Sequence, residues 1–503
     1  MINMKAAIKN FISDAVPEVI MILLNLILLK LFYSNLGKNT YALYQIFSQF
    51  FAYLLLTEAG FSSAALVSLY KPIIRNDVEE ISKKLSGIRL IFRKIGIIII
   101  SLGIVAMFVI PYVIKDNVFD NKYIYFTFFL YIIGNSLNYF FYTYRILYDA
   151  KQQKYVPNLI YQIGSIIKYV VEIVLLYFKM DFPCILISCI VCNLLTNLFM
   201  KYYALRKNKT IIFNNSQKDT SMVKDTKNLI VHKIGGVIAN NVDIVIISAK
   251  LGLNYVAIYG AYNYILNEIT KFTSKIGVSL YSIIGQEYFK NEKMSINENK
   301  FFQFNSFIFF LATIVCSSLI FSYNSFINLF YGSEMLADNV AVYLFIFLIY
   351  FQIIRITLNT YVNACGLFKE TKICTISEAV INFSLSLILS SHYKIAGILF
   401  ATIISYIIAD FIIKPIFIIK NLHLFKIKEF YKEELKNLLC FVVLIILNSF
   451  LFGILVDNYI KWFIISFVVF ICNMLLSCLY FKAIKRLDWL YLIIKCLGRK
   501  NEN

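Results

Sequence analysis

Apolar residues run through this chain in long stretches that are separated by short polar and basic segments. A helix needs about 20 mostly apolar residues to cross the hydrocarbon core of a bilayer, because each residue adds only about 1.5 Å of rise. Stretches of that length occur fourteen times, at 11–34, 41–70, 95–114, 123–144, 155–178, 182–200, 228–249, 255–285, 304–330, 340–362, 373–391, 395–419, 437–456 and 459–481. The pattern therefore predicts an all-α polytopic membrane protein with about fourteen transmembrane helices.

The composition agrees with this prediction. The 503 residues are 60% hydrophobic and 16% charged, whereas soluble domains carry about 25% charged residues. The formal net charge of +20 raises the question of a nucleic-acid partner. The cations lie in short clusters between apolar runs and form no basic face, so we expect no nucleic-acid binding.

The distribution of Lys and Arg predicts the orientation of the chain. Of the 49 basic residues, 35 lie in the termini and loops on one side of the predicted membrane, and 7 lie on the other side. Basic loops stay on the cytoplasmic side of membranes. We therefore expect a multi-pass protein of the cell membrane, the inner membrane in a two-membrane cell, with both termini in the cytoplasm.

The predicted outer loops are short, the longest lying near 331–339. Polysaccharide polymerases and ligases usually carry their catalytic groups in a large outer loop, and none is available here. No Walker motif is present either. The chain is therefore not expected to be an enzyme, and we assign no catalytic residue, no metal ligand and no cofactor.

A repeated motif suggests that the chain contains two related halves. Leu36-Gly37-Lys38-Asn39-Thr40-Tyr41-Ala42-Leu43-Tyr44 is echoed 215 residues later by Leu251-Gly252-Leu253-Asn254-Tyr255-Val256-Ala257-Ile258-Tyr259, and a Lys-x-x-Lys turn at Lys151 recurs 218 residues later at Lys369. Six crossings return the chain to its starting side, so the halves are parallel, as in transporters that open a central cavity alternately to each side. We predict a six-helix bundle at 1–205, a cytoplasmic linker at 206–227, a second six-helix bundle at 228–420, and two added helices with a basic tail at 421–503.

Several motifs resemble the multidrug/oligosaccharidyl-lipid/polysaccharide exporter superfamily, in particular the bacterial O-antigen and capsule repeat-unit flippases. They are the connection 36–44, Glu58-Ala59-Gly60-Phe61-Ser62-Ser63-Ala64, Tyr144-Arg145-Ile146-Leu147-Tyr148-Asp149-Ala150, 232–236 with 241–248, 363–369, and Glu378-Ala379-Val380-Ile381-Asn382. The resemblance spans about residues 10–420. It implies a V-shaped, MATE-like pair of six-helix bundles.

The same resemblance implies a function. A flippase of this kind moves an undecaprenyl-pyrophosphate-linked oligosaccharide from the cytoplasmic to the outer leaflet by alternating access, for O-antigen, capsule or exopolysaccharide synthesis. The partners it implies are membrane lipid, the lipid-linked oligosaccharide and a polysaccharide polymerase, and we expect the chain to be a monomer.

Charged residues inside the predicted crossings mark candidate sites, because a charge at mid-helix costs about 2.5–3.5 kcal/mol on insertion scales. A guanidinium or an ammonium group suits an anionic diphosphate. The candidate cavity cations are Lys233, Lys271, Lys275 and Arg355. The competing interpretation is that each snorkels to the interface or pairs within its helix, as Glu268 and Lys271 are spaced to do. The i,i+4 pairs Lys168–Glu172 and Asp410–Lys414 are interpreted as structural.

Polar residues of the seventh and eighth predicted crossings supply candidate sugar contacts: Asn240, Asn241, Tyr262, Asn263 and Asn267. Candidates for coupling to an ion, either H⁺ or Na⁺, are Asp243, Glu58 and Glu268. For Asp243 a structural ion pair is the alternative.

Two other functions remain open at this point. A cation-coupled multidrug exporter of the MATE type would use the same architecture, although cationic drugs favour a cavity lined by carboxylates. A membrane-embedded polysaccharide polymerase or ligase is the second alternative, and the short outer loops argue against it.

Overall fold

The computed structural model describes residues 4–58, 61–115, 117–151, 153–208, 219, 242–290, 297–422 and 424–484. Within these ranges the chain forms helices joined by turns and no strand. The α-helices are α1 Met4–Leu54, α2 Phe61–Ile74, α3 Val78–Val113, α4 Asn121–Ala150, α5 Tyr155–Tyr177, α6 Phe182–Lys207, α7 at 242–250, α8 Leu253–Lys290, α9 Glu298–Tyr331, α10 Asn339–Ile354, α11 Ile356–Cys365, α12 Lys372–Tyr406, α13 Lys414–Asn421, α14 Ile427–Asn448 and α15 Tyr459–Ala483. A π-helix, Ile407–Ile413, joins α12 to α13.

Ten helical stretches of the described chain are long and apolar enough to cross a membrane, which confirms the predicted polytopic all-α class. One of them, Lys372–Asn421, has 50 residues. A straight helix of that length would measure about 75 Å, against a hydrocarbon core of about 30 Å. Its backbone is kinked at Lys394, where φ is 51°. The stretch thus corresponds to two predicted crossings, and α1, kinked at Gly37, does likewise.

The glycines of the repeated motif have the same unusual backbone conformation. The φ angle is 80° at Gly37 and 89° at Gly252. A positive φ is unfavourable for residues with a Cβ atom, so glycine suits both turns. The two copies of the motif therefore form comparable turns between consecutive helices.

Polar side chains stabilise several helix starts at the ends of the crossings. Asp77 accepts a hydrogen bond from the Glu80 amide at 2.9 Å and caps α3. Asn297 accepts one from the Lys300 amide at 3.3 Å and caps α9. Such caps satisfy amide groups that a helix leaves unpaired in its first turn.

The chain packs as two units, Met1–Ala257 and Ile258–Asn503. The described residues of α7 belong to the first unit, so this division falls later than the predicted linker at 206–227, and the division into functional bundles stays a prediction. The core of the first unit includes Leu85, Ile88 and Phe92, and that of the second unit includes Phe301 and Tyr361.

The two added helices are attached to α9 within the second unit by buried polar groups. Asn448 donates to Asn473 Oδ1 at 2.9 Å, and Asn473 donates to Ser318 Oγ at 3.1 Å. Trp462 donates to the Ser322 carbonyl at 3.2 Å. These bonds fix α14 and α15 against α9, while large apolar side chains such as Leu435 and Phe463 remain exposed on the outer faces, as expected for contact with lipid.

Candidate functional site

A cluster of four charged side chains lies inside the second unit, where three predicted crossings meet. Arg355 Nε is 2.9 Å from Asp410 Oδ2, and its Nη1 is 3.3 Å from Glu378 Oε1. The side chain of Asp410 is 1% exposed. Lys414 donates to Asp410 Oδ1 and, at 2.9 Å, to Asn359 Oδ1. The charge cluster Arg355–Glu378–Asp410–Lys414 therefore contains two cations and two carboxylates, and its formal charges balance.

The backbone is irregular at two of these residues. Arg355 is the joint between α10 and α11, with ψ at −13°. Asp410 lies in the π-helix, where the Lys414 amide bonds the Ala409 carbonyl five residues earlier. π-Helical turns often occur at functional sites. Here the wider turn places Asp410 where it contacts both cations.

Pro415, the residue after Lys414, leaves one carbonyl of the irregular segment without its regular helical partner. Proline has no amide hydrogen, so it cannot bond the Phe411 carbonyl as a regular α-helix would require. The hydroxyl of Tyr431, in the first turns of α14, donates to that carbonyl at 2.8 Å. The first added helix thus supports the segment that carries the charge cluster.

Arg355, a predicted cavity cation for a diphosphate, has partners inside the second unit. Its guanidinium pairs with two carboxylates, and its CZ atom lies 4.4 Å from the centre of the Tyr406 ring. Only 18% of its side chain is exposed. The positive charge is compensated inside the unit, and the diphosphate role of Arg355 stays a prediction.

Helix α8 carries a polar stripe instead. Asn263, Asn267, Lys271 and Lys275 follow one another at steps of four residues, so they lie on one face of the helix. Asn267, Lys271 and Lys275 are exposed, and Lys271 is 62% exposed. α8 is absent from the stretches that meet the apolar requirement of a crossing. A helix with such a stripe fits the wall of a hydrated cavity better than contact with lipid.

Two further predicted residues of α8 have partners of their own. Glu268 pairs with Lys271 at 2.7 Å, as its spacing predicted. Tyr262 is fully buried, donates to Asn324 Oδ1 at 2.6 Å and stacks on Phe345 with ring centres 5.2 Å apart. Its hydroxyl is bonded inside the unit, and the sugar contact at Tyr262 stays a prediction.

The predicted coupling residues of the first unit are also bonded. Glu58 ends a 3₁₀ turn, Leu55–Glu58, and accepts hydrogen bonds from Ser62 and, at 3.1 Å, from the Tyr139 hydroxyl. Asp243 is buried in α7. Their coupling roles stay predictions. Lys233, Asn240 and Asn241 lie outside the described residues.

Lys168 and Glu172 interact through their charges, as expected of a structural pair, without a direct contact between the two groups. The Lys168 ammonium lies 4.8 Å from the centre of the Tyr169 ring. The Glu172 residue is 6% exposed, and it forms no hydrogen bond within the part of the chain that the structure describes. A buried carboxylate without such contacts is costly in its ionised form.

Comparison with known proteins gives the fold a wider context. No protein-family model matches the chain, and no curated protein does. Among solved structures, the lipid II flippase MurJ in an inward closed conformation is similar with a TM-score of 0.70 and 18% identity, over 96% of this chain and 100% of that chain. The chain has the fold of MOP superfamily transporters.

Two other MOP structures extend this likeness. An inward-facing MATE multidrug resistance transporter matches with a TM-score of 0.64 and 13% identity, over 82% of this chain and 98% of that chain. A MOP superfamily transporter from Pyrococcus furiosus matches with a TM-score of 0.61 and 14% identity, over 83% of this chain and 95% of that chain. The MOP fold is thus common to a lipid-linked substrate flippase and to multidrug transporters.

Proposed function

We propose that this protein is a flippase that moves an undecaprenyl-pyrophosphate-linked oligosaccharide from the cytoplasmic to the outer leaflet by alternating access. The observation that carries the proposal is the extent of the match to the lipid II flippase, which covers 96% of this chain. The match to the MATE transporter leaves about one sixth of the chain uncovered, which is about the share occupied by residues 421–503. The larger share of the chain matched by the lipid II flippase therefore supports the flippase.

The polar stripe of α8 supports the same proposal. Translocation requires a wet surface with cations for the diphosphate and amides for the sugars, while the polyprenyl chain stays in lipid. Lys271 and Lys275 supply ammonium groups, and Asn263 and Asn267 supply amide groups, on one face. Exposed lysines suit an anionic headgroup better than a cationic drug. Ion coupling through Glu58, Asp243 or Glu268, with H⁺ or Na⁺, belongs to this proposal, as does a polymerase partner.

The proposal is tested with the purified protein in liposomes that contain the lipid-linked oligosaccharide. A membrane-impermeant pyrophosphatase added outside degrades only the outer-leaflet pool unless the protein moves the inner pool outward. We expect the protein to make the whole pool accessible. The K271Q/K275Q variant should slow this step about tenfold or more, because it removes charge-assisted hydrogen bonds to the headgroup.

The matched control is K369Q/K372Q, which removes two exposed lysines from a turn of the same unit. It should behave like the unmodified protein. Protection of the inner pool in every sample, together with ion-driven efflux of a cationic dye, would favour the multidrug exporter. Equal translocation rates for the K271Q/K275Q variant and the control would show that the polar stripe of α8 is not part of the translocation site.

A further inference from the structure

A cleft of about 960 Å³ lies within the second unit at the joint between α13 and α14. Its walls are formed by the end of the π-helix, by α13, by the connecting turn and by the start of α14. The residues that line it are Ile412, Ile416, Ile419, Lys420, Leu424, Phe425, Lys426, Ile427, Lys428 and Tyr431. Apolar side chains and lysines thus meet in one cleft.

The apolar wall is open and held in place. Ile416 is 52% exposed, and Ile412, one helical turn earlier, is also exposed. Opposite them, Tyr431 is fixed by the hydrogen bond from its hydroxyl to the Phe411 carbonyl. The wall therefore offers apolar surface that no side chain of the described residues covers.

Three lysines lie at the rim of the cleft. Lys420, Lys426 and Lys428 are exposed, and none of them forms an ion pair or hydrogen bond within the described ranges. Glu429, the acidic residue in the first turn of α14, does not line the cleft. The rim is therefore strongly positive beside an apolar wall.

The start of α14 adds to this positive potential. Its N-cap residue, Lys426, makes no side-chain capping bond to the amides of the first turn. Ile427 and Lys428, the first two residues of this 22-residue helix, both line the cleft. The N-terminus of a helix favours negative charge and can donate its unpaired amides to a phosphate.

The position of the cleft along the chain places it at a membrane surface. It lies between two stretches that qualify as crossings, Lys372–Asn421 and Ile427–Leu451. The basic loop at 420–436 is on the predicted cytoplasmic side. The cytoplasmic leaflet contains anionic lipids, and basic pockets between transmembrane helices on that side bind their headgroups.

We propose that this cleft binds one anionic phospholipid of the cytoplasmic leaflet. Its phosphate lies between Lys420, Lys426 and Lys428, and one acyl chain lies along Ile412 and Ile416. This site is separate from the translocation site. It attaches a lipid to the segment that links the charge cluster to the first added helix.

The test is native mass spectrometry of the full-length, delipidated protein titrated with phosphatidylglycerol or phosphatidylcholine. We expect one phosphatidylglycerol to bind tightly and phosphatidylcholine to bind weakly. The K420Q/K426Q/K428Q variant should bind phosphatidylglycerol on the order of a hundredfold more weakly. I416W, which fills the apolar wall and changes no charge, should also weaken binding.

Two controls make the result specific. K369Q/K372Q/K432Q removes three exposed lysines outside the cleft and should leave binding unchanged, and K420R/K426R/K428R should retain it. Equal binding by the triple Gln variant and this control would overturn the proposal. Complete displacement of the lipid by inorganic phosphate, or tighter binding of undecaprenyl pyrophosphate, would also overturn it. Because the readout is binding, it does not depend on the proposed transport activity.

Discussion

Asp410 is the residue on which the charge cluster of the second unit depends, because it contacts both cations. Removing one partner from a buried set of paired charges leaves an uncompensated charge and is far more costly than losing an exposed pair. Lys414 would keep the Asn359 contact, and Arg355 would keep Glu378 and the Tyr406 ring. Asp410 therefore links the α10–α11 joint to the π-helix and to α13, while Glu378 of α12 pairs with Arg355 directly.

We predict that D410N destabilises the protein by about 3–5 kcal/mol, the range for breaking a buried pair. The measurement is the midpoint of thermal unfolding in detergent. E172Q is the matched control, since Glu172 is also buried in a crossing but interacts with one cation, Lys168, and forms no hydrogen bond in the described residues. It should lower the midpoint less than D410N does, because it removes one charge interaction and no direct contact. A lower thermal midpoint for E172Q than for D410N would contradict the assignment of Asp410 as the carboxylate that pairs with two buried cations.

The sequence indicated that these charged residues lie within crossings, but it did not indicate that the four side chains form one cluster. Arg355 stood out because Ile353, Ile354 and Ile356 surround it, and the spacing of Asp410 and Lys414 predicted their pairing. Glu378 was noted in the sequence only as part of a motif that resembles the exporter superfamily. Hydropathy gives the position of a residue along a crossing and not the rotation of one helix against another. That rotation brings Arg355 to two carboxylates, so hydropathy alone did not indicate that its charge is compensated within the unit.

At the scale of helices, α8 and the α10–α11 segment approach closely at Gly277. A Cβ atom at this position would lie 2.3 Å from Thr360 Oγ1 and 2.9 Å from Ile356 Cγ2. Thr360 cannot turn away freely, because its hydroxyl donates to the Ile356 carbonyl at 2.7 Å. Glycine at this point allows the stripe-bearing helix to pack against its neighbour.

We expect G277A to lower the thermal midpoint, although alanine favours a helix over glycine by about 1 kcal/mol. Overpacking costs about 1–3 kcal/mol and outweighs that gain. T360A should restore part of the loss in the double variant, because it removes the nearest atom. S279A, at an exposed position of α8, is the control and should have little effect. A midpoint for G277A at or above that of the unmodified protein would contradict the close approach.

Element positions were predicted well where apolar runs were long, as for α4, α5 and α15. Their irregularities were not predicted. The π-helix depends on the contact of Asp410 with two cations and on the hydrogen bond between Tyr431 and Phe411. Two of these contacts, Arg355 with Asp410 and Tyr431 with Phe411, join residues that are distant in sequence, so periodicity carries no signal for them. The turn at Gly37 was indicated, because the repeated motif placed a glycine there.

At the scale of the whole molecule, the orientation in the membrane remains a prediction from the Lys and Arg asymmetry. It is tested by single cysteines in a cysteine-free chain and a membrane-impermeant maleimide. We expect K461C, in the first turn of α15, to react in intact cells, and K300C, in the first turn of α9, to react only after the membrane is opened. The opposite labelling pattern would show that the orientation is reversed and that the lysine-rimmed cleft faces the outer leaflet.

The hydrogen bond between Tyr431 and the Phe411 carbonyl also has an evolutionary consequence. A protein of this fold with twelve crossings would lack this hydroxyl, and a proline at position 415 would then leave the carbonyl without either donor. The acquisition of the extra hairpin and of the proline are thus expected to be linked events. Twelve-crossing proteins of this fold should carry, at the equivalent position, a residue that retains its amide hydrogen, which a superposition of their structures can decide.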